Sequence, residues 1–264
     1  MDQRNTYPSD LTDKEWDVLK KLVPGNSKLG RPARYARREI VNAIFYIVRS
    51  GCAWRMMPHD LPPWRICYYY FMKWKQCGLW QEIHDHLRGL VRLKAGKKKA
   101  PTAAAIDSQS VKTTDHAGVR GYDAGKRVKG RKRHILVDTL GLILGLKVHT
   151  ADIQDRDGAR LLLEKAHGSF GWLKVIWADS AYAGKLVDWV AMLKRHRWIK
   201  LDIVRRCDKV SGFKVLPKRW IVERTFGWLS KSRRLSKDYE TSVESSEAFI
   251  LIAMSRIMTA RLAR

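Results

Sequence analysis

Long apolar runs are missing from this 264-residue chain: the longest, Leu140 to Leu146 and Ala248 to Met254, fall far short of the roughly 20 residues that cross a bilayer. No membrane-spanning segment is expected. The opening Met1-Asp2-Gln3-Arg4 has no apolar core of a secretion signal, so a soluble cytoplasmic protein is expected. Paired cysteines are missing too. Cys52, Cys67, Cys77 and Cys207 are scattered without a CxxC, which removes the usual spacing of zinc sites and disulfide frameworks and predicts buried free thiols. A cluster of Cys52, His59, Cys67 and Cys77 is a zinc arrangement that this spacing disfavours. No internal repeat is present.

Acidic residues are also few. Against 26 Asp and Glu stand 52 Lys and Arg, a net charge of +26 that exceeds ordinary solubility needs and points to a polyanionic partner. With no membrane segment in view, nucleic acid is the leading candidate. The length suggests two domains.

The first 93 residues read as helices. Thr12 and Glu15 form a capping box ahead of Trp16, Leu19, Leu22 and Val23, and Pro24-Gly25 ends the run. Ile40, Ala43, Ile44, Ile47 and Val48 predict a second helix over residues 36–50, stopped by Gly51. A third begins after Pro62-Pro63, with Cys67, Tyr70, Trp74 and Cys77 as its expected buried stripe and Arg65, Tyr69, Lys73 and Gln76 on its outer face. That outer face can reach phosphates or base edges if the helix lies in a groove, and a solvated polar face explains it equally well.

Residues 94–102, rich in lysine, read as an exposed basic linker, and residues 103–264 as a second domain. Short apolar runs at residues 103–106, 134–137, 142–148 and 175–178 predict strands. Helical patterns over residues 155–166 and 184–195 (Leu186, Val187, Val190, Leu193) complete a mixed α/β sheet.

Three acids stand out in this second domain. Asp107 and Asp179 each follow an apolar strand, where side chains are held at the fixed positions that metal binding requires. Glu223 is the single acid among seven basic residues between Pro217 and Lys237, on a segment of roughly helical apolar spacing. Each has a local alternative. Asp107 and Asp179 can cap the turns that follow them, and Glu223 can pair with Arg219 one helical turn earlier. Taken together, three converging carboxylates suit the metal-assisted attack on a phosphodiester.

Other residues have plainer explanations. His134 and His149 are expected to be satisfied structural histidines, Asp138 a hairpin turn residue, and Asp152, Asp155 or Asp157 a helix cap. Between Arg120 and Arg133, Lys126, Arg127, Lys129, Arg131, Lys132 and Arg133 predict a flexible cationic loop or hairpin beside Asp107 that suits a DNA backbone.

The runs Ile106-Asp107-Ser108-Gln109-Ser110, Lys129-Gly130-Arg131-Lys132-Arg133-His134, Ala151-Asp152-Ile153-Gln154-Asp155-Arg156-Asp157-Gly158, Trp177-Ala178-Asp179-Ser180-Ala181-Tyr182 and Val222-Glu223-Arg224-Thr225-Phe226 resemble bacterial insertion-sequence transposases, most closely the insertion-sequence-five family. Gly51-Cys52-Ala53-Trp54-Arg55 and Pro62-Pro63-Trp64 extend the resemblance over nearly the whole chain. It implies a ribonuclease-H-like catalytic domain behind a helix-turn-helix-like domain, with Asp107, Asp179 and Glu223 as the metal-binding Asp-Asp-Glu triad. It further implies Mg²⁺, or Mn²⁺ in its place, and no nucleotide cofactor. Arg219 matches the family's basic residue, and Arg224 and Lys231 join the expected DNA contacts. Leu216 departs from a tyrosine common in relatives, and Ser230 with Lys231 departs from the basic spacing after Glu223. The implied activity is binding of terminal inverted repeats, cleavage at the element ends and joining of the 3′-hydroxyls to target DNA. A dimer or larger assembly on double-stranded DNA at the bacterial nucleoid is implied with it. A catalytically inactive repressor and a structure-selective nuclease are the alternatives.

Overall fold

A computed structural model describes residues 4–25, 33–166, 171–192, 199–204 and 217–264. Cys207, Leu193 and Leu216 lie outside them. Two compact units result, one made of Met1–Ala95, Leu229–Ser236 and Ala248–Arg264, the other of Gly96–Trp228 and Lys237–Glu247. The second unit therefore differs from the block expected over residues 103–264. Ala248 to Met254 are buried without interruption, and Phe249 stacks on Phe71 with ring centroids 4.7 Å apart, so this segment supplies core to the first unit. The expected linker also starts later, because Lys94 still belongs to a helix.

In the first unit, α1 (Asp13–Leu19) carries the expected capping box between Thr12 and Glu15. α2 (Arg37–Ser50) buries Ile40, Ala43, Ile44, Ile47 and Val48, and Gly51 ends it in the left-handed conformation at φ 75°. A side chain at Gly51 would also meet the Arg233 backbone at 3.1 Å. α3 (Trp64–Gln76) turns Cys67, Phe71 and Trp74 inward. This corrects the expected stripe: the true spacing of four and then three residues selects Phe71, leaving Tyr70 half-buried and Cys77 exposed. Arg65, Tyr69 and Lys73 are exposed as expected. Burial pushes the Cys67 thiol up to about 12. α4 (Leu79–Lys94), which the sequence reading did not anticipate, buries Leu79, Trp80, Ile83, Leu87 and Val91.

The second unit is built on β1 (Ala103–Lys112), β2 (Gly121–Asp123), β3 (Val128–Asp138), β4 (Ile143–Thr150), α5 (Asp155–Ala166), β5 (Val175–Ala178), α6 (Lys185–Met192) and β6 (Lys200–Ile203). α7 (Pro217–Ser230) and α8 (Val243–Ala263) follow. The sheet runs β2-β3-β1-β5-β6, with β4 also paired to β3. β3 is antiparallel to β1 and β4, while β5 runs parallel to β1 and β6. On one face, Ala104, Ile106, Ile176 and Ala178 pack with Ala159, Leu162 and Leu163 of α5 and Leu186 and Val190 of α6. This mixed α/β layering is ribonuclease-H-like. Among the described residues no helix is long and apolar enough to cross a membrane.

Candidate active site

Side chains alternate across a strand, so the inward position of Ile106 puts Asp107 on the other face of the sheet. Ala178 does the same for Asp179. β1 and β5 are parallel with Ala105 opposite Trp177, and continuing that register by two residues brings Asp107 level with Asp179. Both local readings are also realised. Asp107 Oδ1 accepts the Ser108 N–H at 2.7 Å, and Asp179 Oδ1 accepts the Ala181 N–H at 2.9 Å.

α7 brings Glu223 to the same group. Thr225 Oγ1 donates to the Gly141 carbonyl at 2.8 Å, Arg224 donates to the Leu140 carbonyl at 3.3 Å, and Lys218 Nζ lies 5.4 Å from the Trp177 ring centroid. These contacts seat the helix against the β3–β4 turn and β5. Gly141 permits the approach: its φ is 82°, and an added Cβ would meet Thr225 Oγ1 and Trp228 at 2.8 Å. From this helix Arg219 Nη2 stands 3.2 Å from Glu223 Oε1 and 3.8 Å from Asp179 Oδ2. One guanidinium thus stands between two of the three acids, so the helix salt bridge coexists with a contact to Asp179.

The third acid carries the electrostatic cost. Burial raises the Asp107 carboxyl to about 6, and the Asp179 charge adds to that. The Ser108 N–H, Lys126 and Arg219 oppose the rise without cancelling it. Behind the strand, Ser108 Oγ donates to Asp155 Oδ1 at 2.8 Å, and Lys132 Nζ stands 3.0 Å from the same oxygen and 3.4 Å from Asp123 Oδ2. Ser110 Oγ donates to Asp123 Oδ2 at 2.6 Å. The two histidines pair with each other, His134 Nδ1 and His149 Nε2 standing 2.8 Å apart, but His134 Nε2 is buried without a hydrogen-bond partner among the described residues, so the expected full satisfaction is not met. Burial, with His149 alongside, drives His134 down to about 3, which keeps the ring neutral. Tyr182 is fully buried, and its phenol is raised by burial and by the charges of Asp107, Asp155 and Asp179. The sequence reading gave Lys132, Ser108 and Tyr182 no place in this support. The alternation of serine with Asp107 along β1 was the available signal.

The cationic segment needs correction. Lys126, Arg127 and Lys129 are exposed on the β2–β3 hairpin, but Arg131, Lys132 and Arg133 are 0%, 4% and 3% exposed and are not available to a DNA backbone. Arg131 instead reaches Asp238 at 3.3 Å and donates to the carbonyls of Val119, Glu240 and Thr241 and to Ser246 Oγ. Arg133 donates to the Lys237 carbonyl at 3.2 Å. From Gly130 to Asp138 every residue of β3 is buried, so these side chains are covered on both faces of the sheet. Asp138 accepts the N–H groups of Leu140 and Leu142, as a turn residue should. Arg224 is half-buried, and Lys231 is exposed in the first unit.

The donor chemistry at Asp107 and Asp179 fits a hard divalent cation, since both offer carboxylate oxygens and the Asp179 charge adds to the burial that raises the Asp107 carboxyl. Glu223 is held by Arg219, and no three Asp, Glu, His or Cys side chains among the described residues stand close enough to hold one ion. The Cys52, His59, Cys67 and Cys77 arrangement is likewise not assembled.

The sheet is ribonuclease-H-like, with Asp107 on β1, Asp179 just past the end of β5 and Glu223 on α7. Residues 98–258 match the family model described as "Transposase DDE domain", and the chain belongs to that family. Residues 11–84 match the model for transposases of the IS4/5 family, so this is an IS4/5-family DDE transposase of an insertion sequence. Such enzymes bind DNA and typically use a divalent metal. An uncharacterized protein, y4sN, of Sinorhizobium fredii is 30% identical over 109 residues, spanning 33% of this chain and 87% of its own. An uncharacterized 16.2 kDa protein of insertion element IS402 from Burkholderia cepacia is 24% identical over 108 residues, spanning 39% of this chain and 72% of its own. No solved structure matches.

Proposed function

We propose that this transposase binds the terminal inverted repeats of its element, cuts at the element ends and joins the freed 3′-hydroxyls to target DNA, with Asp107, Asp179 and Glu223 as the catalytic carboxylates. The observation that carries the reading is the level placement of Asp107 and Asp179 on parallel strands, with Arg219 bridging Asp179 to Glu223. Mg²⁺, or Mn²⁺ in its place, would be held by Asp107 and Asp179, with Glu223 as the third ligand once it leaves Arg219, and would supply charge stabilisation at the reacting phosphate. The residues of the chain do the rest. The sheet fixes Asp107 and Asp179, Ser108 N–H holds one Asp107 oxygen, and Arg219 releases Glu223 as it turns to a DNA phosphate. Lys126, Arg127 and Lys129 on the hairpin grip the backbone, Arg224 and Lys231 extend that contact, and Arg65, Tyr69 and Lys73 of α3 face the end sequence. Two ends must be joined, which calls for a dimer or larger assembly on double-stranded DNA in the bacterial cytoplasm at the nucleoid.

Cleavage of DNA carrying the sequences that flank the gene tests this. Wild type should nick that DNA with Mg²⁺, and Asp107→Asn, Asp179→Asn and Glu223→Gln should each lower the rate by at least about 100-fold, a loss of the size seen when a transition-state contact is removed. Cleavage surviving all three changes would sink the triad, and binding without wild-type cleavage would leave a repressor.

A further inference from the structure

The first unit contains a cavity of about 330 Å³ lined by Arg34, Tyr35, Arg37, Arg65, Tyr69 and Tyr70, with Ile40 and Ile66 also contributing to its wall. Three guanidiniums and three phenol rings converge there, and among the described residues no carboxylate lines it. Among the described residues none of these arginines has a carboxylate partner. Arg37 is held in place: Nε donates to the Pro24 carbonyl at 3.1 Å, and the guanidinium lies 4.1 Å from the Tyr70 ring centroid. Its Nη1 is shielded from water yet has no hydrogen-bond partner among the described residues, an arrangement that favours an anionic oxygen arriving from outside. Arg37 also opens the 14-residue α2, whose N-cap Ala36 provides no side-chain acceptor, so the helix adds its positive end to the same place.

We infer that this cavity receives one unstacked nucleotide of the bound DNA, its base against Tyr35, Tyr69 and Tyr70 and its phosphate on Arg34, Arg37 and Arg65. The volume lies at the lower end of the roughly 300–1,000 Å³ typical of small-ligand sites, suited to a single nucleotide rather than to a stretch of duplex. Aromatic rings stack on any base, and guanidiniums without acidic partners attract phosphate in preference to a neutral or cationic ligand. The position is apt: Arg65 and Tyr69 belong both to the cavity wall and to the exposed face of α3 proposed above to meet the element end. A base extruded beside that face enters the cavity without leaving the complex.

This inference rests on the DNA-binding reading of the first unit, and its test separates the two. Full-length protein is titrated with a duplex of the flanking end sequence, and with the same duplex carrying one unpaired 2-aminopurine nucleotide. Anisotropy reads affinity, and 2-aminopurine fluorescence reads stacking. The unpaired probe should bind about 10-fold tighter than the fully paired one and be quenched, a ratio within the range that base–aromatic stacking supplies. Arg37→Met and Tyr35→Ala should bring the ratio towards one, and Tyr35→Phe, which keeps the ring, should restore it. A wild-type ratio near one with good duplex binding overturns the nucleotide cavity and leaves the transposase reading standing. So does a ratio unchanged in Arg37→Met and Tyr35→Ala. Failure to bind either probe overturns both.

Discussion

Asp107→Asn should stabilise the metal-free protein at neutral pH while removing its activity. The carboxyl titrates at about 6 in the folded chain against an ordinary 3.8, a rise caused by burial and by the Asp179 charge. Because the folded value is the higher one, the protonated form is favoured by folding. Its stabilisation is fully present below pH 4 and is lost as pH climbs through 6. A difference of about two units corresponds to about 3 kcal/mol, so wild type at pH 7.5 in EDTA carries a penalty of up to that size. Asparagine keeps the oxygen that accepts the Ser108 N–H and cannot ionise, so it escapes the penalty. For a chain of this length each kcal/mol moves Tm by about 2–4 °C, so Asp107→Asn should melt up to about 10 °C higher at pH 7.5. Near pH 4 the gap should close. Thermal melts of both proteins from pH 4 to 8 in EDTA measure this. A gap that does not change with pH, or an asparagine variant less stable at pH 7.5, refutes the assigned electrostatics.

Other expectations follow from the same geometry. Arg131→Met leaves Asp238 buried at 1% exposure without its cation and should cost about 3–5 kcal/mol in urea unfolding, whereas adding Asp238→Asn should recover much of the loss. Gly158→Ala would place a methyl 2.3 Å from His134 Cε1 and 2.4 Å from His149 Nε2, and should cost about 1–3 kcal/mol by the same measurement. Arg219→Ala removes partly exposed ion pairs and should change stability by less than about 1 kcal/mol, while cleavage of end DNA falls sharply. Lys126→Ala and Lys129→Ala should each reduce the slope of log affinity against log salt by about one in a DNA-binding titration.

Periodicity made much of this architecture legible. α5 spans the expected residues 155–166, α2 differs from its expected range by one residue, and Asp179 stands just past the end of β5, whereas β1 runs on through Asp107 to Lys112 instead of ending before it. α4 escaped because its N-cap is Gly78, at φ 75° and without a side-chain cap, so the usual Ser, Thr, Asp or Asn start signal is missing. β6 is four residues long with a single fully buried side chain, too short for alternation to register. The inward arginines were illegible for a different reason. Arg131 finds Asp238, Glu240 and Ser246 at separations of 107 to 115 residues, and nothing local distinguishes it from Lys129 two positions earlier. Glu223 raised a further problem: a helix salt bridge and a place beside Asp179 looked like rivals in sequence, yet Arg219 makes both contacts at once.

The split between inward and outward cations changes how the net charge should be understood. Arg131, Lys132 and Arg133 leave the set of possible DNA contacts, but Asp238, Asp123 and Asp155 are drawn inward with them. Setting aside three of each sign leaves the +26 balance intact on the remaining surface. Long-range attraction of a polyanion is therefore undiminished, while on the β2–β3 hairpin the exposed cations are Lys126, Arg127 and Lys129. The same buried pairs have a second effect. Lys132 pairs with Asp155 and Asp123 behind β1, so it offers no ion pair to Asp107 on the opposite face, whose carboxyl burial and the Asp179 charge hold up at about 6. Charge balance inside the sheet thus separates the ion-paired acids on one face from Asp107 on the other, which the register of β1 and β5 brings level with Asp179.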